Sequence, residues 1–355
     1  MTGGAAECRL GSAIRENIAA DRLALLQLID GYRVTQVLVT SVELGLPDLL
    51  AAGPRPCAEL AREAGAEADS LYRLLRALVA LGVLEEDGDG VFSLTGMGRG
   101  LASDAHLSLR DFAGWEGRDE QQATWRKLRD SVRTGRPAFG IVHGADIWTW
   151  LSARPDAEAM FGRAMSSFSG VAAEAVVEAF DFSPFERVVD IGGSRGALLA
   201  AVLARSLRAR GVLFDRPEVV PAAREALAAA GLAARCEVVE GDFFESVPAG
   251  GGAYVLKSVL HDWSDEDSLR ILRTCVRDMA PGAVLLVIER VLGPPTEGAN
   301  VELSDLNMLV MTGGGRERTR RDWEQLLGAA GLTVDRVVAT RSAYSVIEAR
   351  VGVGA

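Results

Sequence analysis

RVVDIGGSRGALLAAVLARS, Arg187 to Ser206, is the stretch around which the rest of the chain is read. Val188, Val189 and Ile191 read as the end of a buried strand, Asp190 to Gly196 as a tight turn, and Ala197 to Ala204 as a helix rich in alanine and leucine. A glycine-rich turn between strand and helix admits backbone conformations closed to other residues and lets a bulky ligand approach the main chain. The spacing from Asp190 through Gly192 to Gly196 is not the dinucleotide pattern G-x-G-x-x-G. By itself the turn does not choose between a nucleoside site and a packing turn.

Strands and helices alternate beyond it. Residues 211–215 form a second strand ending at Asp215, and 221–230 a helix closed by Gly231. Residues 236–242 form a third strand ending at Asp242, and 253–260 a fourth. A helix capped by Ser264 follows, with Leu269, Leu272, Val276 and Met279 inward. Residues 283–288 make a fifth strand, ending at Glu289. Thr319 is placed to cap a helix bearing Trp323, Leu326 and Leu327, and 333–340 with 344–350 read as a closing hairpin. Such repeats predict an α/β, Rossmann-like, mostly parallel sheet covered on both faces, with ligands at the carboxyl ends of its strands.

Those strand ends carry chemistry. Asp215 lies about twenty residues past the glycine loop, where a carboxylate can accept both hydroxyls of a ribose. Asp242 and Phe243 offer an acid for an exocyclic amine and a ring to pack on adenine. Ser194 and Arg195 leave no lysine at the P-loop position, which disfavours a triphosphate and leaves a dinucleotide or S-adenosylmethionine. The fourth strand then runs into His261, with Glu289 at the end of the fifth and Glu317 in a glycine-rich loop. A histidine there beside two carboxylates suits an oriented general base: one carboxylate fixes the tautomer, and the free ring nitrogen takes a proton.

The N-terminal part is different. Residues 23–46 show a helical apolar face with Leu26, Ile29, Val34, Val37, Leu38 and Val42, ended by Gly45 and Pro47. Helices around 57–63 and 70–81 precede a hairpin turning at Asp89-Gly90, a winged-helix order. Between Arg55 and Arg99 there are five arginines and eight acids. A DNA-reading helix beside its wing should be basic, so protein contact, and with it dimerisation, is the expected task. Residues 105–185 read as helical, broken at Gly135 to Pro137 and at Arg154-Pro155, and rich in large apolar groups such as Trp115, Trp125, Trp148, Phe161 and Met165. These serve core packing or roof an aromatic pocket.

Composition narrows the classes. A net charge of -11 argues against a nucleic-acid backbone as partner. No apolar run approaches a membrane span and no basic-then-apolar leader is evident. Four scattered cysteines, Cys8, Cys57, Cys236 and Cys275, suggest a reducing cytoplasm. Only three histidines, His106, His143 and His261, make a histidine-rich metal centre improbable, and no metal is expected.

Taken together, VVDIGGSRG, FDRPEVV, GDFFESVP, LKSVLHDWSDED and DLNMLVMTGGGRERT resemble the class I S-adenosylmethionine-dependent O-methyltransferases of the plant caffeate and flavonoid type. Bacterial relatives of that family act in anthracycline, mitomycin and enediyne biosynthesis. The likeness runs from about Gln27 through nearly the whole chain. It implies a winged-helix dimerisation domain over 1–104, linking helices contributing to the substrate pocket over 105–170, and a Rossmann-like catalytic domain over 171–355. By this resemblance the cofactor is S-adenosyl-L-methionine, leaving as S-adenosyl-L-homocysteine. Asp190, Gly192, Gly193, Gly196, Asp215, Arg216, Asp242, Phe243 and Lys257 would bind it, Lys257 near its carboxylate end. His261 would be the base, flanked by Glu289 and Glu317. Met165 and Met308 would clamp a small aromatic acceptor, with Phe161, Asp262, Asp305 and Asn307 near it.

Two residues depart from the pattern. Ser194 replaces the usual third glycine of the loop, and Arg216 stands where plant members carry leucine. The implied reaction is methylation of a phenolic or enolic hydroxyl by a cytoplasmic homodimer. Three rivals are N-methylation, a methyltransferase fold turned to hydroxylation, decarboxylation or cyclisation, and a winged-helix regulator.

Overall fold

The computed structural model describes residues 20–293 and 300–352. The lead before residue 20, including Cys8, lies outside the described residues. The chain divides into two compact units after Gly117, inside the stretch expected to link its domains.

The first unit opens with α1 (20–29), α2 (Gly31–Glu43) and α3 (Leu46–Ala51). The single helix expected over 23–46 is therefore interrupted at Asp30 and closed at Leu44. Gly45 takes φ 68°, the left-handed conformation that ends a helix cheaply. Pro47, expected to help stop that helix, instead sits in the first turn of α3, where its missing N–H would have had no partner anyway.

Next come β1 (Arg55–Pro56), α4 (Cys57–Ala64), α5 (Ala68–Ala80), β2 (Leu84–Glu86), β3 (Val91–Leu94), α6 (Gly96–Arg99) and α7 (Arg110–Gly117). The hairpin is as expected, and β1 joins its β3 edge in a three-stranded sheet. Two residues, one of them proline, are too few to show a period, so β1 was not foreseen. Leu60, Leu71, Leu75, Leu78 and Phe92 fill the core, each fully buried side chain stabilising by about 1.5–3 kcal/mol. By contrast Leu23, Leu25, Leu26, Leu28, Ile29 and Tyr32 of α1 and α2 are all more than half exposed.

The second unit begins with α8 (Asp119–Trp125), α9 (Leu128–Thr134), α10 (Ala138–His143), α11 (Ile147–Ser152) and the long α12 (Pro155–Ala179). The breaks fall where expected: Gly135 closes α9 at φ 68°, Pro137 precedes α10, and Pro155 starts α12. The sheet strands are β4 (Arg187–Ile191), β5 (Arg210–Asp215), β6 (Cys236–Glu240), β7 (Ala253–Lys257), β8 (Val284–Leu292), β9 (Arg318–Thr319), β10 (Leu332–Ala339) and β11 (Tyr344–Val351). Their order is β10-β11-β8-β7-β4-β5-β6, with β9 beside β8. The five strands from β6 to β8 are parallel, and the β10–β11 hairpin adds antiparallel to β8.

On one face, Val188, Leu199, Leu213, Val255 and Leu286 join α12, α13 (Ala197–Arg205) and α14 (Val220–Ala229) in one core. On the other, Val189, Ile191, Leu256, Ile271 and Trp323 join α15 (Asp265–Asp278) and α17 (Arg320–Ala329). Burial on both faces is why these strands read as continuous apolar runs. Thr319 and Asp322 form a reciprocal capping box, and Ser264 caps α15. The chain leaves β4 toward β5 and β6, then returns to β7 on the other side of β4. A crevice opens at such a reversal, at the carboxyl ends of β4 and β7.

Candidate active site

The β4 end carries the glycine loop. Gly192 and Gly196 take φ 71° and 82°, and a Cβ on Gly192 would stand 2.9 Å from Val259 Cγ2. Gly193 lies against the Asp190 carboxylate, where a Cβ would come within 2.8 Å. Ser194 also adopts a left-handed conformation, φ 52°, so the serine departure sits where glycine costs least. Its N–H donates to Asp215 Oδ2 at 2.8 Å, and Arg216 N–H donates to Oδ1 at 2.8 Å. Both Asp215 oxygens thus already hold backbone donors, which orient the carboxylate; each retains a lone pair for a ribose hydroxyl. Burial pushes Asp215 upward. Asp190 is pushed up to about 7 by burial, partly offset by Lys257.

Asp242 and Phe243 lie past the end of β6. Asp242 is exposed, and its Oδ1 accepts from Phe244 N–H at 2.8 Å, capping its own turn. Phe243 packs edge-on against Trp263 at 5.9 Å. Trp263 stacks on Trp148 of α11 at 6.3 Å, and Trp148 meets Phe161 of α12 at 6.0 Å. The Arg216 guanidinium covers Trp148 at 5.7 Å and bonds Glu158 of α12 at 3.0 Å. These contacts join the ends of β5, β6 and β7 to the two helices above them.

Lys257, the last residue of β7, is buried, and Ser258 after it takes φ 53°. The strand expected to reach Leu260 therefore stops three residues early, and a 3₁₀ turn, Leu260–Asp262, carries the histidine. Among the described residues, Lys257 Nζ donates to hydroxyls, those of Ser169 on α12 and Ser258. It also lies 4.9 Å from the centre of the Tyr344 ring. Burial holds this ammonium down at about 8, against the pull of Glu289 and Asp190. An ammonium bonded to hydroxyls suits a carboxylate arriving with a ligand.

His261 is 8% exposed and its Nδ1 lies 2.7 Å from Glu289 Oε2. Glu289 does not end β8, which continues to Leu292; it lies within the strand and is fully buried. Its Oε1 accepts the N–H groups of Val259 and Leu260, both at 3.0 Å. One carboxylate thereby fixes the ring and the turn that bears it. Asp262 Oδ1 lies 3.5 Å from Nε2, and Glu317 is close enough that one ligand atom each from His261, Glu289 and Glu317 lie within 4.8 Å of one another. Burial disfavours the imidazolium, but Glu289, Asp262 and Glu317 outweigh it and push His261 up to about 10. Asp262 is raised to about 7 by burial against the pull of His261. Burial also works against charge on Glu289, but His261 and the two amides hold it below the ordinary carboxylate range.

Glu317 begins a second network, built on α16 (Asn300–Met311). Ser304 Oγ donates to Glu317 Oε1 at 2.6 Å, and Asp305 Oδ1 accepts from Glu317 N–H at 2.9 Å. Arg290 bonds Ser304 and lies 3.5 Å from Glu317, its guanidinium set over Phe168 and Tyr344 at 5.1 Å each. Met308, one turn beyond Ser304, is 7% exposed, and Asn307 Oδ1 accepts from Trp125 Nε1 at 3.2 Å. On α12, Met165 lies one turn from both Phe161 and Ser169, on the face turned to Trp148 and Lys257.

The sequence reading missed Ser169, Ser304, Arg290, Arg318 and Tyr344. Arg290 had a signal, an arginine directly after the strand-borne acid. The serines had none, because only the packing of α12 and α16 brings them in.

Residues 125–333 match the O-methyltransferase domain, and residues 26–104 match the O-methyltransferase dimerisation domain. The phenazine O-methyltransferase PhzM of Lysobacter antibioticus is 42% identical over 326 residues, 92% of this chain and 95% of that one. The mitomycin biosynthesis 6-O-methyltransferase of Streptomyces lavendulae is 39% identical over 327 residues, 92% of each chain. The crystal structure of human N-acetylserotonin methyltransferase in complex with SAM superposes with a TM-score of 0.86 at 31% identity, covering 94% of this chain and 98% of that one. The fold is that of a class I methyltransferase, and the chain belongs to the O-methyltransferase family, of which it carries both the catalytic and the dimerisation domain.

Proposed function

We propose that the protein methylates a phenolic or enolic hydroxyl of an aromatic, polyketide-like metabolite, using S-adenosylmethionine as methyl donor and His261 as general base. The observation that carries this reading is the buried His261–Glu289 pair at 2.7 Å beside the crevice of the glycine loop. When bound, S-adenosylmethionine supplies an electrophilic methyl group. Asp215 and the Gly192–Gly196 backbone are suited to its nucleoside part, Phe243 and Asp242 to the adenine, and Lys257 to the carboxylate. Arg216 is assigned to closing the cofactor side through Trp148 and Glu158. Met165, Met308, Phe161 and Asn307 are assigned to the acceptor ring, and Asp262 and Glu317 to the reacting edge.

The proton balance supports a base of this kind. A free phenol near pKa 10 and an ordinary histidine near 6.5 differ by about 3.5 units, roughly 5 kcal/mol uphill. Three carboxylates that raise His261 remove most of that mismatch. The same charges favour a protonated ring at rest, and a cationic cofactor in the crevice opposes them, which raises the fraction of neutral ring in the loaded enzyme. His261 then accepts the hydroxyl proton as the oxygen attacks.

The homodimer belongs to the same reading: the matched dimerisation domain begins within α1 and takes in the exposed Leu26, Leu28, Ile29 and Tyr32. So does a cytoplasmic location, with Cys57, Cys236 and Cys275 free. Two measurements test the activity. Calorimetry with S-adenosylhomocysteine should show binding, and incubation with methyl-labelled cofactor and a hydroxyanthraquinone or hydroxynaphthoic acid panel should place label on oxygen. Label on nitrogen, or turnover without label, would instead support one of the rival chemistries.

A further inference from the structure

Arg318 is the largest charged side chain sealed inside the second unit, 1% exposed. It follows Glu317 in the chain and lies on β9, paired with Val291 of β8. Its side chain turns beneath the 3₁₀ turn that bears the histidine. Nη1 donates to Leu260 O at 2.9 Å, Nη2 donates to Trp263 O at 3.0 Å and to Ser268 Oγ at 3.2 Å, and Nε donates to Asp265 Oδ1 at 2.9 Å. The guanidinium plane lies over Trp323, 5.1 Å from the ring centre. Leu260 and Trp263 bracket His261 and Asp262, so one planar group grips the carbonyls on both sides of the pair.

Two neighbouring contacts act on the same turn. Arg316 N–H donates to His261 O at 2.7 Å, and a Cβ on Gly315 would come within 2.5 Å of that oxygen. Glu289 holds the N–H groups of Val259 and Leu260 from the opposite side. The turn is thus anchored through its amides by β8 and through its carbonyls by β9. Only a rigid, forked donor spans two carbonyls and a hydroxyl at once; a lysine ammonium in that place is a point charge.

We propose that Arg318 is a positioning residue for the base: it fixes the Leu260–Trp263 turn so that His261 keeps its contact with Glu289, and it ties that turn to the segment that presents Glu317. This rests on the reading of His261 as base, but its test does not require turnover. A geometric error near 1 Å at a reacting group is worth roughly 10²-fold in rate, and loosening the grip should also weaken the His261–Glu289 contact.

The test is the imidazole titration of full-length protein labelled in its histidines, of which there are three, read by NMR with and without S-adenosylhomocysteine. In Arg318→Lys, His261 should titrate at least about one pH unit lower than in the parent, while S-adenosylhomocysteine affinity stays within about twofold. The control is Arg235→Lys. Arg235 similarly caps carbonyls, those of Leu203, Ser206, Leu207 and Ala209, away from the candidate site. It should cost stability and leave the His261 titration unchanged. If Arg318→Lys does not fold, Ser268→Ala removes one anchor of the guanidinium together with the hydroxyl's own bonds to Leu260 O and Trp263 O, and should shift His261 in the same direction by a smaller amount. A folded variant, either Arg318→Lys or, failing that, Ser268→Ala, that melts earlier yet keeps the parental His261 titration would make Arg318 merely structural and overturn the proposal. A shifted titration in a protein whose His261→Ala variant methylates normally would keep the positioning and discard the base.

Discussion

Glu289 meets His261 at Nδ1, Asp262 stands 3.5 Å from Nε2, and Glu317 completes an acidic surround. The sign of the resulting pH dependence follows from the direction of the shift. His261 works as a base only when neutral, and its pKa is raised to about 10. The acid limb of kcat/KM should therefore lie above the ordinary histidine value near 6.5, with activity still rising through neutral pH. Glu289→Gln removes the strongest stabilising anion: the limb should move to lower pH while the maximal rate falls roughly 10²-fold, as a steady-state pH profile would read. A limb that does not move would separate Glu289 from the base.

Ser194 gives a prediction of another kind. It sits at φ 52°, a region that costs a non-glycine residue about 1 kcal/mol or slightly more. Ser194→Gly should raise thermal stability by about that amount and leave S-adenosylhomocysteine affinity within twofold. Part of the residue layer was legible beforehand because the glycine loop and Asp215 stand at strand ends; Lys257 came only through the family resemblance, and His261, read as a strand-end residue, lies on the 3₁₀ turn beyond β7. Asp242 was legible only as a location: its carboxylate also caps a turn, which spacing does not reveal.

At the scale of elements, the cover over the crevice consists of α11 and α12 joined to the strand ends through Trp148, Trp263 and Arg216. Removing that join should affect binding more than chemistry. Trp148→Ala should raise the KM for S-adenosylmethionine about tenfold or more with a smaller change in kcat, as loss of a half-buried ring stack worth about 1 kcal/mol plus its apolar contact requires. A kcat loss with unchanged KM would place the tryptophan on the acceptor side instead. The long elements were readable because period and punctuation agreed: Gly135, Pro137 and Pro155 interrupt the helices where they were expected to. The shorter ones were not. β9 is two residues long, and α16 was quoted as a motif without being recognised as a helix. That left the Ser304–Glu317–Arg290 network invisible, since it exists only once α16 packs beside β8. The end of β7 was misplaced for a related reason: Ser258 and the 3₁₀ turn keep an apolar pattern while the backbone leaves the sheet.

At the scale of the whole molecule, α1 and α2 present apolar side chains to solvent; Leu28 is 78% exposed and Ile29 59%. Exposed leucines in such a run need a partner surface. If the proposed homodimer forms through this face, Leu28→Asp with Ile29→Asp should sediment as a monomer without unfolding of the second unit; a variant that remains dimeric would move the interface elsewhere. Among the described residues no helix is long and apolar enough to cross a membrane.

His261, Glu289 and Glu317 have spacing that a cation tolerates, yet His261 Nδ1 is spent on Glu289 Oε2 and Glu289 Oε1 is filled by two amides. Dialysis against a chelator should therefore leave activity unchanged.

Every role assigned above depends on His261 taking the proton from the oxygen that receives the methyl group. Single-turnover methylation by His261→Ala, with S-adenosylhomocysteine binding measured on the same preparation, tests it most directly. Cofactor binding should be unchanged and the rate lower by about 10²–10⁴-fold. Near-parental methylation by a variant that binds cofactor normally would contradict it.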